Sequence, residues 1–437
     1  MDNLRASPNK TAARGERKLF GRGSPEADLS AKELRKIIAD ALEEIGAGES
    51  VLAVVPDKTR DDSTDVLFPF AAEILRAKRV EKFDALIAQG THGTMTDDEK
   101  RAKLGTGDGR TVPQIGHVFD HHWSHERELA EIGVLTAERV SELTGGLFTK
   151  EIPLKINRLL APGNYDHILI FGATVPHEVA GFAGGAKYFF PGVAGPELTH
   201  ATHWLGALAG IENTIGRVET RTRALIEAAG DYVAANVICF TSVVSRTAED
   251  NLQNHALFAG DFRASLRAAA EISRKVHIKY TGRKYRRVVA LLDEHYDELW
   301  VGGKASYKLG GVIEDGGELI VYAPQMTCLS KTHGEMIEKY GYGVIEKMQE
   351  LVASSGELEA NLCVAAHLAH VAFAGRPTPT GEIVPRYSIT LASQIDQATC
   401  SRVNLGYLDP AKFVLGKYRN DADVLIVERA GRDLYIV

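Results

Sequence analysis

Apolar residues recur at helical spacing after Ser30, where Leu34, Ile37, Ile38, Leu42 and Ile45 form one stripe. Ser30 and Glu33 ahead of it make a capping-box pattern, so a helix should start there and stop at Gly46 and Gly48. Residues 51–55 are a short unbroken apolar run, which predicts a strand buried on both faces. A polar loop over 57–64 separates it from a second helical segment at 65–79. A second strand is expected at 84–89, running into Gly90-Thr91-His92-Gly93, and a third at 167–173, ending in Thr174-Val-Pro-His177. Strand, loop and helix alternating in this way predict an α/β fold of two domains with mainly parallel sheets. Such sheets put chemistry in the loops at the carboxyl ends of their strands.

A chain of 437 residues is too long for one ordinary domain. Residues 1–28, polar, basic and rich in Gly, Pro and Ser, read as a flexible lead-in. A cofactor-binding catalytic domain is expected over 29–280, with its boundary in the basic segment 279–287. Apolar runs at 288–292, 298–301 and 318–322, the last preceded by Asp315-Gly-Gly317, begin a smaller α/β domain over 288–405. The segment 406–437 carries runs at 424–427 and 434–437 that could return to the first domain. The active site is expected between the two domains.

Composition narrows the partners. Hydrophobic residues make up 44% and charged residues 25%, the balance of a soluble globular chain. A net charge of −7 gives no support to a nucleic-acid or anionic-membrane partner, so cations that serve an anionic substrate must be placed locally. Cys239, Cys328, Cys363 and Cys400 are scattered without a CxxC pair, which argues against a disulfide framework or a thiolate zinc site. With no long apolar run and no signal-peptide core, a cytoplasmic protein is expected.

The segment 177–203, HEVAGFAGGAKYFFPGVAGPELTHATH, is the most informative. Gly181, Gly184 and Gly185 free the backbone to approach a bulky ligand, and Lys187 follows. A Walker A loop is excluded, because Ala186 and Tyr188 stand where that motif needs Gly and Ser/Thr. Taken alone, this is a Gly-rich loop that presents a lysine between histidines, which a structural turn with a solvated lysine would also explain.

The order His177, Lys187, Pro191-Gly192 and His203 resembles the central motif of the lactate racemase family, including its GGxK and PG elements. Asp57-Lys58-Thr59-Arg60 resembles the family's DxTR motif, and Gly90-Thr91-His92 its GTH motif. The resemblance runs from about Val51 to Gly317. It implies a nickel-pincer nucleotide, a pyridinium mononucleotide whose two sulfur-bearing arms hold nickel. Lys187 matches the tethering lysine, with Gly184, Gly185 and Asp57 as further cofactor-binding residues. His203 matches the nickel ligand, with His200 three residues earlier as its rival. His92 and His177 match the two acid/base histidines and Arg60 a substrate-binding arginine. Lys304 is favoured over Lys308 for a second substrate cation, although Val301 replaces a polar neighbour in the family pattern.

The implied activity is racemisation or epimerisation of lactate or a related small 2-hydroxy acid, by proton-coupled hydride transfer through the 2-keto acid. Its implied partners are that acid and the proteins that build the cofactor. The chemistry is coherent: an unactivated carbinol hydrogen leaves more easily as hydride than as a proton, and a pyridinium can accept it. Loss of hydride requires a base at the hydroxyl, and mirror-related substrates require two. Two other readings remain open: the same cofactor acting on a longer 2-hydroxy acid or a sugar acid, and a cofactor or ligand carrier without turnover. His117, His121, His122 and His125, with Asp120 and Glu126, lack standard metal spacing and are assigned no metal. His367 and His370 are expected to be half-buried helix histidines.

Overall fold

The capping box forms: Ser30 accepts the Glu33 N–H through its hydroxyl, and the Glu33 carboxylate accepts the Ser30 N–H at 2.8 Å. The helix it starts, Ala31–Ala41, buries Leu34, Ile37 and Ile38. This computed structural model describes residues 18–107 and 116–437; the expected lead-in over 1–17 lies outside the described residues. The chain divides into two compact units. The first takes the described residues up to Val175 together with Phe182–Thr202 and Val218–Val276, and the second takes Pro176–Gly181, His203–Arg217 and His277–Val437.

The first unit is built on a seven-stranded sheet. In chain order its strands are β1 (Phe20–Gly23), β2 (Ser50–Pro56), β3 (Lys82–Ala88), β4 (Val118–Phe119), β5 (His167–Ala173), β6 (Asn236–Arg246) and β7 (Leu252–Gly260). Across the sheet the order is β1-β7-β6-β5-β2-β3-β4. The five strands from β6 to β4 are parallel, and β7 and β1 close the other side antiparallel. β2 and β5 are buried along their whole length, as unbroken apolar runs in a parallel sheet should be. One face of β2 (Val51, Ala53, Val55) packs in a core with Leu34, Ile38, Leu67, Phe68 and Leu75 from the helices Ala31–Ala41 and Thr64–Ala77.

The lead-in expectation is corrected over its described part. Phe20–Gly23 is an edge strand, paired with β7 from Phe20↔Ala259 to Gly23↔Ala256. A side chain at Gly21 or Gly23 would collide with the backbone of β7, so these glycines serve close pairing rather than flexibility.

Chain order fixes where the chemistry can sit. From β2 the chain passes to β3 and β4 on one side, whereas β5 returns to the other side of β2. The boundary between β5 and β2 is therefore a topological switch point, where crossovers diverge and leave a crevice at the carboxyl edge. Asp57, Thr174 and the loop of His92 follow directly from the carboxyl ends of β2, β5 and β3.

The second unit carries a five-stranded parallel sheet in the order Gly406–Tyr407, Ser388–Ser393, Ile313–Ala323, Tyr285–Leu291, Val424–Val427. Both C-terminal runs pair within this unit: Val424–Val427 beside Tyr285–Leu291, and Leu434–Ile436 beside Ile278–Tyr280. The apolar run at 298–301 is a helical turn, Leu299–Gly302, followed by the short helix Lys304–Leu309. Among the described residues, no helix is long and apolar enough to cross a membrane.

Candidate active site

The best-defined feature of the first unit is a carboxylate–imidazole pair. Asp57 leaves β2 into an Asx turn: its Oδ1 accepts the Thr59 N–H at 3.0 Å and the Thr59 hydroxyl at 2.6 Å. The other oxygen, Oδ2, lies 2.6 Å from Nδ1 of His92. Burial pushes the Asp57 carboxyl up, but the charges of His92 and Arg60 and the hydrogen bonds from His92 and Thr59 outweigh it. The result lies well below the usual carboxylate range. Because an ionised carboxylate only accepts, Nδ1 of His92 must donate in either charge state, and in the neutral ring the lone pair is on Nε2. Asp57 is buried and His92 half-buried, so the anion is fixed behind the ring while the ring edge stays accessible.

The turn of Lys187 packs against β2 in the same unit. Lys187 sits half-buried in this 3₁₀ turn, Gly185–Tyr188. The next residue, Tyr188, packs over Gly172 of β5 and feels the charges of Asp62 and Arg60, which brings the turn to the loop after β2. The segment beyond is tied to the loop after β3, where the Gly90 N–H donates to the Gly192 carbonyl at 2.9 Å. The switch-point edge of the first unit thus gathers Asp57, Arg60, His92 and the Lys187 turn.

Gly184 and Gly185 have φ of 97° and 62°, which favour glycine by themselves. The space a side chain would occupy is already filled, by the Thr174 hydroxyl at Gly184 and the Phe262 carbonyl at Gly185. These glycines thus let the turn pack against its own unit, a requirement that stands beside the expected approach of the backbone to a ligand. Open space lies instead at Gly90 and Gly93, where a Cβ would meet nothing within 4 Å.

The remaining candidates fall in the second unit. Nδ1 of His177 accepts the Val179 N–H at 3.1 Å, and the Glu178 carboxylate lies 3.6 Å from the same nitrogen. The helix Pro196–Ala209 carries both His200 and His203, and the division between units falls just before His203. His200 meets Trp123 edge-on at 5.6 Å within the first unit, whereas His203 acts electrostatically on His367 within the second. Lys308 is buried, its ammonium donating to the carbonyls of Pro176 (2.7 Å) and Arg432 (3.2 Å). Lys304 is half-buried, its ammonium 5.7 Å from the Tyr296 ring centre.

Several residues that matter here carry no motif signal. Arg223 is fully buried and donates to the carbonyls of Phe182 and Gly184, holding the base of the Lys187 turn. Burial lowers its guanidinium to about 10. Gln89 braces the His92 loop, its amide donating to the Gly93 carbonyl at 3.3 Å and its oxygen accepting the His121 N–H at 2.8 Å. The Asp-x-Thr spacing was a readable signal for Thr59; nothing local announces Arg223 or Gln89. His367 and His370 are buried rather than half-buried; the Tyr307 hydroxyl meets Nδ1 of His367 at 2.9 Å and Trp300 packs at a tilt against its ring. Burial holds both imidazoles below their usual range.

Residues 24–216 match the model of the lactate racemase N-terminal domain. A lactate racemase of Thermoanaerobacterium thermosaccharolyticum is 28% identical over 189 residues, which are 41% of this chain and 40% of that protein. Residues 24–216 thus carry a domain of the lactate racemase N-terminal type. The matched stretch spans about two fifths of that relative's length. A crystal structure of a Thermotoga maritima protein superposes with a TM-score of 0.85 at 32% identity, covering 93% of this chain and 98% of that one. The lactate racemase apoprotein of T. thermosaccharolyticum has the same fold, with a TM-score of 0.66 at 16% identity over 96% of this chain and all of that one. Within the matched stretch lie Asp57, Arg60, His92, His177, Lys187 and His203, whereas Lys304 lies beyond it.

Proposed function

We propose that this protein is a racemase or epimerase of a small 2-hydroxy acid, using a covalently held nickel-pincer nucleotide. The observation that carries the reading is the Asp57–His92 pair at the switch-point edge, where the Lys187 turn packs against β2, in a chain that carries a domain of the lactate racemase N-terminal type. The donor set suits the cofactor: Lys187 offers a half-buried amine for the covalent link, and a helix imidazole, His203 or its rival His200, suits nickel in a soft sulfur and carbon pincer. When bound, that group supplies the hydride acceptor.

The chain's own residues then bind, orient and move protons. Arg60 presents a planar fork for the substrate carboxylate, and Lys304 adds a second cation. His92 takes the hydroxyl proton at Nε2, and Asp57 compensates the positive charge that this creates on the ring. His177 serves the opposite substrate hand. Its Nδ1 lies between the Val179 N–H and the Glu178 carboxylate; with Nδ1 protonated toward Glu178, Nε2 is free to take the hydroxyl proton or return it.

A second reading, a longer acid with further hydroxyl groups, is favoured by the surroundings of Lys304. Trp300, on the preceding helical turn, contacts the rings of His333 (4.6 Å) and His367 (4.2 Å), and the buried Nε2 of His333 has no hydrogen-bond partner. Such a wall suits polar substituents better than a methyl group.

The test is production beside the cofactor-building enzymes, followed by intact mass, nickel content and a racemisation screen over hydroxy acids of rising length. A covalent adduct on Lys187 with nickel, lost in Lys187→Ala, and turnover of a 2-hydroxy acid are expected. A full adduct in Lys187→Ala overturns the tether, and a loaded wild type without turnover leaves only the carrier reading.

A further inference from the structure

The histidine-rich stretch after β4 does not behave as its composition suggests. His121 turns inward: Nε2 donates to the Ala194 carbonyl at 3.0 Å, and Nδ1 faces the Asn157 amide at 3.3 Å. Burial lowers this imidazole to about 4. The nearby acids that sequence would favour as ligands are taken, Asp120 by Lys100 and Glu126 by Lys155. His122 and His125 turn the other way and meet at Glu128, which composition did not single out.

Backbone geometry brings these three together. The His125 N–H donates to the His122 carbonyl (3.0 Å), and the Glu128 N–H to the His125 carbonyl (2.8 Å). The two turns meet at an extended His125, and together they bring the three side chains to one side. The imidazoles stack with centres 4.8 Å apart and planes 19° apart. Both aim Nδ1 at the same carboxylate, His122 at 2.9 Å and His125 at 3.4 Å.

We propose that Nδ1 of His122, Nδ1 of His125 and the Glu128 carboxylate bind a divalent transition-metal ion of the zinc or cobalt kind. None of them belongs to the residues assigned to catalysis above. Two imidazoles and a carboxylate form a donor set that such ions accept, with water filling the remaining positions. In a tetrahedron with bonds of about 2.05 Å, neighbouring ligand atoms lie about 3.3 Å apart. The two nitrogen–oxygen separations, each to a different oxygen of the carboxylate, fall on either side of that value, and one ligand atom from each residue lies within 4.8 Å of the other two. Ring rotation closes the rest.

The stretch is braced at both ends, at His121 as described and at Leu129, which opens a strand paired antiparallel with Ile152–Asn157. Little ordering is therefore left for the ion to impose. Burial raises the Glu128 carboxyl, but hydrogen bonds from both rings and their charges outweigh this, so it is anionic and ready to coordinate. All three side chains are at least partly exposed, so an ion can enter without opening the unit.

Zinc titration by calorimetry on the full chain, produced without the cofactor-building enzymes and stripped with a chelator, tests this. Wild type is expected to take up zinc, and His122→Ala/His125→Ala and Glu128→Gln each to lose one equivalent. His203→Ala should keep that equivalent, which separates this site from the proposed nickel ligand. His125→Gln replaces the most exposed ring and keeps the test valid if the double variant fails to fold. Copper(II) bound in place of zinc should show imidazole-nitrogen coupling by electron paramagnetic resonance, lost in the same variants. Equal zinc stoichiometry and affinity in wild type and these variants, or no uptake by wild type, overturns the proposal.

Discussion

The two histidines matched to acid/base roles are held in different ways. His92, in the first unit, has an ionised carboxylate behind Nδ1 and nothing ambiguous about its tautomer. His177, in the second, has a backbone donor and a carboxylate competing for the same nitrogen. A carboxylate that only accepts fixes one ring state, whereas a donor and an acceptor together provide for two. The first arrangement suits a base that must start empty at Nε2, and the second a group that changes state with the direction of reaction.

The change expected to break this contrast most severely is Asp57→Asn. An amide can present its NH₂ to Nδ1 and reverse the His92 tautomer, so kcat should fall by about 10²–10⁴-fold, the scale of acid–base and triad-type losses. For a racemisation the equilibrium constant is unity, so kcat/KM must fall equally in both directions. A kcat within about tenfold of wild type would disprove the assignment. Nitrogen NMR of labelled protein should show the proton on Nδ1 of His92 in wild type, and on Nε2 in the variant. Stability adds a check: the folded Asp57 carboxyl is held below its unfolded value, so its contribution is complete above about pH 4 and lost as pH falls below that. The difference in Tm between wild type and Asp57→Asn should therefore shrink on acidification.

The pedestal of the second histidine gives a smaller effect. Lys308 spends its buried ammonium on the Pro176 carbonyl, next to His177, and on the Arg432 carbonyl. Lys308→Met leaves two carbonyls short of a donor but also removes a buried charge, and these terms partly cancel. A net loss of about 1–3 kcal/mol is expected in urea melts, with turnover of the folded fraction within about tenfold of wild type. Abolished turnover with unchanged stability would instead place Lys308, not Lys304, at the substrate.

How legible these features were in sequence follows from how local their causes are. The capping box at Ser30, the buried strand β2 and the Asx turn at Asp57 depend on neighbours within a few positions, and each was readable. The Asp57–His92 pair joins residues 35 apart, and needs β2 and β3 adjacent and parallel before it exists. Phe20–Gly23 was misread because glycine signals a loop unless a partner strand demands close approach, and that partner lies more than two hundred residues away. Arg223 and Gln89 were missed for the same reason, since their partners are backbone groups brought near only by the fold. His122 and His125 were noticed, but Glu128 joined them only once two three-residue turns were in place.

The smallest effect sharpens the contrast within one tetrapeptide. Lys58 stands between Asp57 and Thr59, yet its side chain leaves the pair and reaches out to Glu99, where the lysine is exposed and the carboxylate partly so. An ion pair of this kind is screened by water and typically contributes less than about 1 kcal/mol. Lys58→Ala should therefore leave kcat within about twofold and stability within about 0.5 kcal/mol of wild type. Asp57→Asn, one residue away, should cost orders of magnitude in rate. If Lys58→Ala were equally damaging, the DxTR stretch would be acting as a general cationic surface, and the argument for a directed carboxylate–imidazole pair would fail.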